Sequence, residues 1–133
     1  MTRFPTVGHL ISWAGLCPRL HESAGKRLST RTRPGNPWLK TTLVQVAWVA
    51  ARTRNTYLRA QFLRLKSRRG PKKAILAVAA SILTAAYHIL KHEVTYQDLG
   101  ADHFERRDKA QTAKRLVRRL EELGLVVEIK PAA

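Results

Sequence analysis

One uncharged, apolar stretch limits the possible folds of this chain more than any other feature of its sequence. Residues 74–90 read AILAVAASILTAAYHIL, and these 17 residues include no Asp, Glu, Lys or Arg. Gly70 and Pro71 precede the stretch as a typical helix end followed by a helix start. We therefore predict a core helix over about 71–91, with these side chains at helical spacing facing inward: Ile75, Val78, Ile82, Leu83, Ala86 and Ile89.

The same stretch raises the alternative of a membrane span. A transmembrane helix needs about 20 apolar residues. This stretch lies at the short limit, is rich in Ala, and is interrupted by Ser81, Thr84, Tyr87 and His88. We interpret it as the buried helix of a soluble domain and expect no membrane partner.

The other periodic segments are also helical and predict an all-α fold, a compact domain of about four to five helices with a basic loop and a C-terminal helical tail. A short helix is expected over 4–15. Asn36 and Pro37 are a typical helix start. The helix that follows, to about Arg52, should turn these residues inward: Leu39, Leu43, Val46, Ala47 and Ala50.

Two further helices complete the prediction. One covers about 55–69 on the stripe Leu58, Phe62 and Leu65, and the last covers about 106–123. Gly124 is a natural C-cap, and residues 125–129 could form a short strand without a partner. The last helix should turn these residues inward: Ala113, Leu116, Val117, Leu120 and Leu123.

Charge divides the chain into two predicted domains. The net charge is +16, yet residues 93–133 carry eight basic and eight acidic side chains, whereas residues 1–92 carry 17 Lys and Arg against the single acid Glu22. We predict a basic helical domain over 1–92, followed by a charge-balanced linker, helix and short tail over 93–133. The basic excess indicates a polyanionic partner, most simply nucleic acid. Residues 1–92 also lack the carboxylates that a metal-dependent nuclease needs.

The basic loop over 16–35 is the candidate site. It places Ser23, Ser29 and Thr30 among several cations, and a hydroxyl can attack a phosphodiester when cations neutralise the developing charge. His21 and Glu22 could orient or deprotonate Ser23. The alternative is a solvated loop that only grips phosphates. The predicted nucleic-acid-binding residues of the chain are Arg19, Lys26, Arg27, Arg31, Arg33, Lys40, Lys66, Arg68, Arg69, Lys72 and Lys73.

Three other groups of residues could have a functional role, but a structural role is the expected one for each. Trp38 and Trp48 could stack on bases, but core packing is the expected role. His88 and His92 are spaced for one helix face without a third metal ligand. The acidic cluster Asp98, Asp102, Glu105 and Asp108 is expected to interact with a helix dipole.

Three segments in this order resemble a known family: FPTVGHLISWAGLCPRLHESAGKR, GNPWLKTTLVQVAWVAARTRNTYLRAQFLRL and RRGPKKAILAVAASILTAAYHIL. Over about residues 4–100 the chain resembles the C-terminal transposase domain of the IS-one-ten (IS116/IS902-related) insertion-sequence family. The resemblance implies a serine that forms a covalent phosphoserine with DNA. Ser23, in HESAGKR, matches that serine, although Ala24 separates it from the glycine that follows it directly in many relatives.

The resemblance also implies partners. Family members carry an N-terminal RuvC-like domain whose carboxylates bind Mg²⁺, they use a structured bridge RNA, and their composite sites join residues of different protomers. We therefore expect no cofactor in this chain, an N-terminally truncated polypeptide, DNA and bridge RNA as partners, a homo-oligomer, and a cytoplasmic, nucleoid-associated location in bacteria. The alternative is a non-catalytic DNA- or RNA-binding module left from a decayed transposase.

Overall fold

Helices dominate the chain, as the sequence predicts. The computed structural model describes residues 3–19, 21–107 and 109–128, without the side chains of Arg27, Ala110 and Gln111. These residues form six helices and one two-stranded sheet, so the predominantly helical fold is confirmed. In chain order the elements are α1 (Val7–Trp13), β1 (His21–Ser23), β2 (Lys26–Ser29), α2 (Pro37–Arg52), α3 (Tyr57–Arg69), α4 (Pro71–His92), α5 (His103–Arg107) and α6 (Lys109–Glu121).

The apolar helix α4 is the core element. It packs against α1, α2 and α3, and within the described part of the chain it is the one helix long and apolar enough to span a membrane. The predicted helix is confirmed, but Ile82, Ala86 and Ile89 are only half-buried. The buried residues of α4 are Ala74, Ile75, Val78, Ala79, Leu83 and Tyr87.

Tyr87 is buried although its hydroxyl needs a partner. The hydroxyl donates to the carbonyl oxygens of Phe4 and Pro5, both at 3.0 Å. Lys91, one turn further along α4, donates to the Pro5 carbonyl at 3.4 Å. These bonds hold the segment before α1 against the C-terminal half of α4 and satisfy a polar group that would be costly to bury alone.

Local signals set the ends of α2 and α3. The Asn36 side chain accepts from the Leu39 N–H at 3.0 Å, and Thr56 does the same for Arg59 at 3.3 Å. Gly70, with a φ of 80°, separates α3 from α4. The predicted starts and ends are therefore confirmed to within two residues. The stripe on α2 is partly wrong, because Val46 is 45% exposed and Ala51 is buried instead.

The segment predicted as a plain loop contains a β-hairpin. Strands β1 and β2 pair antiparallel through a two-residue turn at Ala24 and Gly25, whose φ values are 49° and 73°. Positive φ at both central positions is typical of the type I′ turn, which matches the twist of a hairpin. An isolated bridge between Pro18 and Thr32 extends the pairing below the strands. The sequence prediction missed these strands because they are short and polar.

Two glycines close the base of this segment. Gly15 and Gly35 both have positive φ, and their backbones are in direct contact. A Cβ atom added to Gly15 would lie 2.7 Å from the Arg33 carbonyl oxygen and 2.8 Å from that of Pro34. A Cβ on Gly35 would meet the backbone of Ala14 and Gly15. We call residues 16–34, which this contact encloses, the basic arm.

The chain divides into two compact units, Met1–Ala101 and Asp102–Ala133. In the second, α5 and α6 replace the single predicted helix, with Asp108 outside the described residues. Gly124 N–H donates to Glu121 O and Leu125 N–H to Leu120 O, which confirms the predicted C-cap. Residues 125–128 form no strand, contrary to expectation, and Ile129 lies outside the description. The domain boundary after residue 92 stays a prediction.

The stripe of α6 is not buried as predicted. Ala113 and Val117 are half-buried, whereas Leu116 is 53% exposed and Leu120 and Leu123 are also exposed. Among the described residues of α6, none is buried. The apolar spacing therefore predicts the helix correctly but not the burial of its apolar face.

Candidate nucleic-acid interface

Ser23 is the last residue of β1 and stands directly before the hairpin turn. Its partner across the sheet is Lys26. Side chains of directly opposed residues share one face of an antiparallel pair, with Cβ atoms about 4.5–5.5 Å apart. Both residues are exposed. The hairpin therefore presents a hydroxyl and an ammonium side by side to solvent.

The neighbours of Ser23 in β1 are less well placed to act on it. Glu22 pairs with Arg27, whose side chain lies outside the description. Because side chains alternate along a strand, Glu22 projects from the opposite face to Ser23. No hydrogen bond joins any described side chain to the Ser23 hydroxyl. The roles considered for His21 and Glu22 stay predictions.

The second serine of the arm has a different environment. Ser29 ends β2, is half-buried, and its hydroxyl accepts from the Arg31 N–H at 3.3 Å. This bond is a local side chain to backbone contact of the kind that shapes turns. Burial and this contact distinguish Ser29 from the exposed Ser23, a difference that the sequence alone does not show.

Hydrogen bonds close the root of the arm and fix it to α2. The Arg19 N–H donates to the Arg31 carbonyl at 2.8 Å. The Lys40 ammonium, from the first turn of α2, donates to Thr32 Oγ1 at 2.8 Å and to the Arg33 carbonyl at 3.2 Å. Lys40 thus holds the arm on α2, a contact that sequence reasoning missed. Its predicted binding of nucleic acid stays untested.

The other predicted cations lie in two places. Arg19, Arg31 and Arg33 are exposed on the basic arm. The rest surround the α3–α4 corner at Gly70, where Lys66 lies with its ammonium 6.0 Å from the centre of the Phe62 ring. The exposed residues of this corner are Lys66, Arg68, Arg69, Lys72 and Lys73. Residues 23–92 contain no Asp or Glu, so the α3–α4 corner has no carboxylate from this segment to neutralise it, whereas the basic arm contains one acid, Glu22.

The tryptophans differ from expectation. Trp48 packs edge-on against the buried Phe62 with ring centres 5.9 Å apart but is itself 37% exposed, so its predicted core packing is only partly right. Trp38, at the start of α2, is 84% exposed, so its predicted core packing is wrong. The i,i+4 apolar spacing of α2 would have identified Trp38 as outward-facing, because it lies opposite Leu43 and Ala47 on the helix.

The acidic cluster separates into individual local contacts. Asp98 accepts from the Tyr57 N–H at 3.0 Å, at the start of α3, and from the Gly100 N–H at 2.7 Å. Partial burial acts to raise the pKa of Asp98, but these bonds and one from Tyr96 leave the pKa lowered. Asp102 pairs with Arg106 at 2.9 Å. Asp98 thus interacts with a helix N-terminus as expected, although with that of α3.

The described side chains do not fit a metal ion. No group of three or more His, Cys, Asp or Glu is close enough to hold one in the part of the chain that the structure describes. The rings of His88 and His92 stack with their centres 5.6 Å apart. A Mg²⁺ ion of the kind implied by the family resemblance therefore finds no ligand set among these residues.

Comparison with known proteins identifies one family. The model of the transposase IS116/IS110/IS902 family matches residues 1–63, which include α1, the basic arm, α2 and the first half of α3. No curated protein and no solved structure matches the chain. The match supports a function in DNA transposition, and with it an interaction with DNA. The match ends before the α3–α4 corner, whereas the resemblance seen in the sequence extends to about residue 100.

Proposed function

We propose, from the match of residues 1–63 to the transposase IS116/IS110/IS902 family, that Ser23 is the nucleophile that attacks a DNA phosphodiester. The observation that supports this choice is the position of Ser23 at the hairpin turn, exposed and directly opposite Lys26. Ser29, the other serine of the arm, is half-buried and accepts a backbone hydrogen bond.

The proposed step is an ordinary transesterification. The Ser23 hydroxyl oxygen bonds to phosphorus, the bond from phosphorus to one deoxyribose oxygen breaks, and a phosphoserine ester remains. The hydroxyl proton passes to a base, and the leaving oxygen takes up a proton. Lys26 neutralises charge on the phosphate as it develops, the role that catalysis of this kind requires.

The basic surfaces hold the nucleic acid around that step. Arg19, Arg31 and Arg33 bind phosphates along the root of the arm that carries Ser23, while the α3–α4 corner binds a second stretch of backbone. We propose DNA and a structured bridge RNA as partners, and a homo-oligomer in which a RuvC-like domain with Mg²⁺ completes the site. No step assigned to this chain runs through that metal. We therefore expect the chain alone to bind DNA without strand transfer.

The test is covalent capture on DNA. A suicide substrate, which traps the phosphoserine ester, is offered to the chain with a family RuvC-like domain supplied. We expect adducts that survive denaturing electrophoresis with the wild-type chain and with Ser29→Ala. With Ser23→Ala the adducts should vanish, while DNA affinity changes by less than about twofold, since a neutral hydroxyl contributes little to phosphate binding.

Ser29→Ala is the matched control, because it removes a hydroxyl from the same arm. Adducts that persist in Ser23→Ala and vanish in Ser29→Ala would show that the wrong serine has been assigned. If neither the wild-type chain nor the variants form adducts while DNA binding stays intact, the second candidate function is favoured. That candidate is a non-catalytic DNA- or RNA-binding module, favoured by the lack of a described side chain bonded to the Ser23 hydroxyl.

A further inference from the structure

Trp38 is exposed in a way that its neighbours do not explain. Its exposure of 84% compares with 49% for Trp13 and 37% for Trp48. Each of the other two has an aromatic partner, Phe4 at 5.5 Å for Trp13 and Phe62 at 5.9 Å for Trp48. Trp38 has neither a ring partner nor a hydrogen bond to its indole among the described residues. A large aromatic side chain left in water forgoes the burial that usually stabilises it.

The backbone beneath Trp38 is nevertheless held firmly. Pro37 and the Asn36 cap fix the first turn of α2. The Trp38 carbonyl accepts from Thr42 Oγ1 at 2.9 Å. Two residues on, the Lys40 ammonium ties the same turn to the basic arm. The indole is therefore presented from a rigid position, so ordering it on a ligand costs little backbone entropy.

The direction of the side chain excludes a role in the core. Successive residues of an α-helix are about 100° apart around its axis. Trp38 thus lies about 140° from Leu43 and about 180° from Ala47, both buried. The face that it shares with Gln45 and Val49 is the outward one, and both of these residues are exposed.

Charge identifies the kind of partner. Between residues 23 and 92 the chain has no carboxylate, so a ligand that approaches Trp38 meets only cationic and neutral side chains of this segment. That complements an anionic ligand with a flat, apolar surface, which is the chemistry of a nucleotide. In a duplex both faces of each base are already stacked, whereas a single strand offers free base faces to aromatic side chains.

We infer that Trp38 is a stacking platform for an unstacked nucleobase of a single-stranded nucleic acid. This rests on the proposed nucleic-acid function and names the form of nucleic acid involved. Single-stranded DNA and single-stranded RNA share the recognised chemistry. Using a DNA strand and an RNA strand as separate probes shows which of the two supplies the base.

The test compares binding of the full chain to oligothymidylate, oligouridylate and a DNA duplex by fluorescence anisotropy. Trp38→Ala should weaken binding of one or both single strands by about 5- to 150-fold, the range that stacking on one base supports. Trp38→Phe should retain most of the affinity. Duplex affinity should change by less than about twofold, and the salt dependence should stay the same because no phosphate contact is lost.

Val49→Ala is the matched control, since it shortens another exposed side chain on the same face and should leave every affinity unchanged. The intrinsic fluorescence of the wild-type chain should be quenched by the single strand, and Trp38→Phe should lose that quenching. The preferred strand, thymidylate or uridylate, identifies the source of the base.

Three results would overturn the inference. The first is an unchanged affinity of Trp38→Ala for the single strands, and the second is an equal loss of affinity for duplex and single strands. The third is a lower solution mass of Trp38→Ala than of the wild-type chain, which would assign Trp38 to a contact between protein chains. The assay involves no reaction, so an inactive Ser23 does not affect it. Failure of the Ser23 proposal and failure of this one are therefore read from separate experiments.

Discussion

At the scale of single residues, backbone conformation at a few glycines decides whether the basic arm can be held. Gly15, Gly25 and Gly35 all have positive φ, but their surroundings differ. Gly25 lies in open space at the hairpin turn, whereas Gly15 and Gly35 touch. A side chain added at Gly25 would cause only backbone strain from the positive φ. A side chain added at Gly35 would cause the same strain and would also clash with backbone atoms.

This contrast gives a prediction with an internal control. Gly25→Ala should lower the free energy of unfolding by about 1 kcal/mol, the cost of a left-handed L-residue. Gly35→Ala adds a clash with the backbone of Ala14 and Gly15 and should cost more than about 2 kcal/mol. Urea titration of both variants measures the difference. Equal losses would show that the glycine contact does not constrain the fold.

The helix caps of this chain can be predicted from its sequence, whereas its tertiary contacts cannot. Asn36, Gly70 and Gly124 act as predicted, because caps depend on neighbours only a few residues away. The bond from Lys40 to Thr32 could not be predicted, since it depends on how the arm folds back on α2. Whether Ser23 is the nucleophile is likewise not settled by spacing, and it stays a proposal.

At the scale of elements, α4 and α6 show that similar apolar spacing can lead to different burial. Both helices carry apolar residues at intervals of three and four, so both were predicted as helices. The stripe of α4 meets three other helices, but α6 has no buried residue among those described. Periodicity predicts the conformation of a helix, while burial depends on the elements that surround it.

The same substitution in each helix tests this difference. Val78→Asp, at a fully buried position of α4, should unfold the Met1–Ala101 unit because it buries an unpaired charge. Leu120→Asp, at an exposed position of α6, should change the melting temperature of that unit by less than about 2 °C, as most surface substitutions do. Circular dichroism melts compare them. A folded Val78→Asp chain would refute the assignment of α4 as the core helix.

The contact of Asp98 with α3 predicts a dependence on pH. Its hydrogen bonds keep the pKa of Asp98 below the ordinary value of 3.8, so the carboxylate stabilises the fold above that pH. The contribution is lost as pH falls through the lowered pKa. Asp98→Ala should remove this part of the acid sensitivity and, because it removes the acceptor oxygen, speed hydrogen exchange at the Tyr57 amide at neutral pH. Identical exchange in both proteins would contradict the contact.

At the scale of the whole molecule, charge is segregated along the sequence. Residues 1–92 carry all of the net charge of +16, and residues 93–133 are balanced. Charge and composition could be read without a structure, and they predicted the nucleic-acid partner to which the family match also points. The two groups of exposed cations, on the basic arm and at the α3–α4 corner, required the fold.

Salt dependence distinguishes the two segments. The logarithm of DNA affinity should fall linearly with the logarithm of salt concentration, because each neutralised phosphate releases counterions. Lys72→Ala, at the α3–α4 corner, should lower the magnitude of that slope by about one. Lys114→Ala, an exposed lysine of α6, should leave it unchanged. Equal effects of the two variants would show that position in the chain does not decide which cations bind.

The contact between Gly15 and Gly35 has a consequence for how such a chain can change over generations. The root of the basic arm is fixed by this backbone contact, by Leu16 in the core and by the Lys40 bonds, whereas the described side chains of the hairpin beyond the root include no buried residue that supports the helices. The entropic cost of closing a loop grows only slowly with its length. The hairpin can therefore change in length and sequence from one descendant to the next, including the position proposed as nucleophile, while the root and the helical support are inherited unaltered.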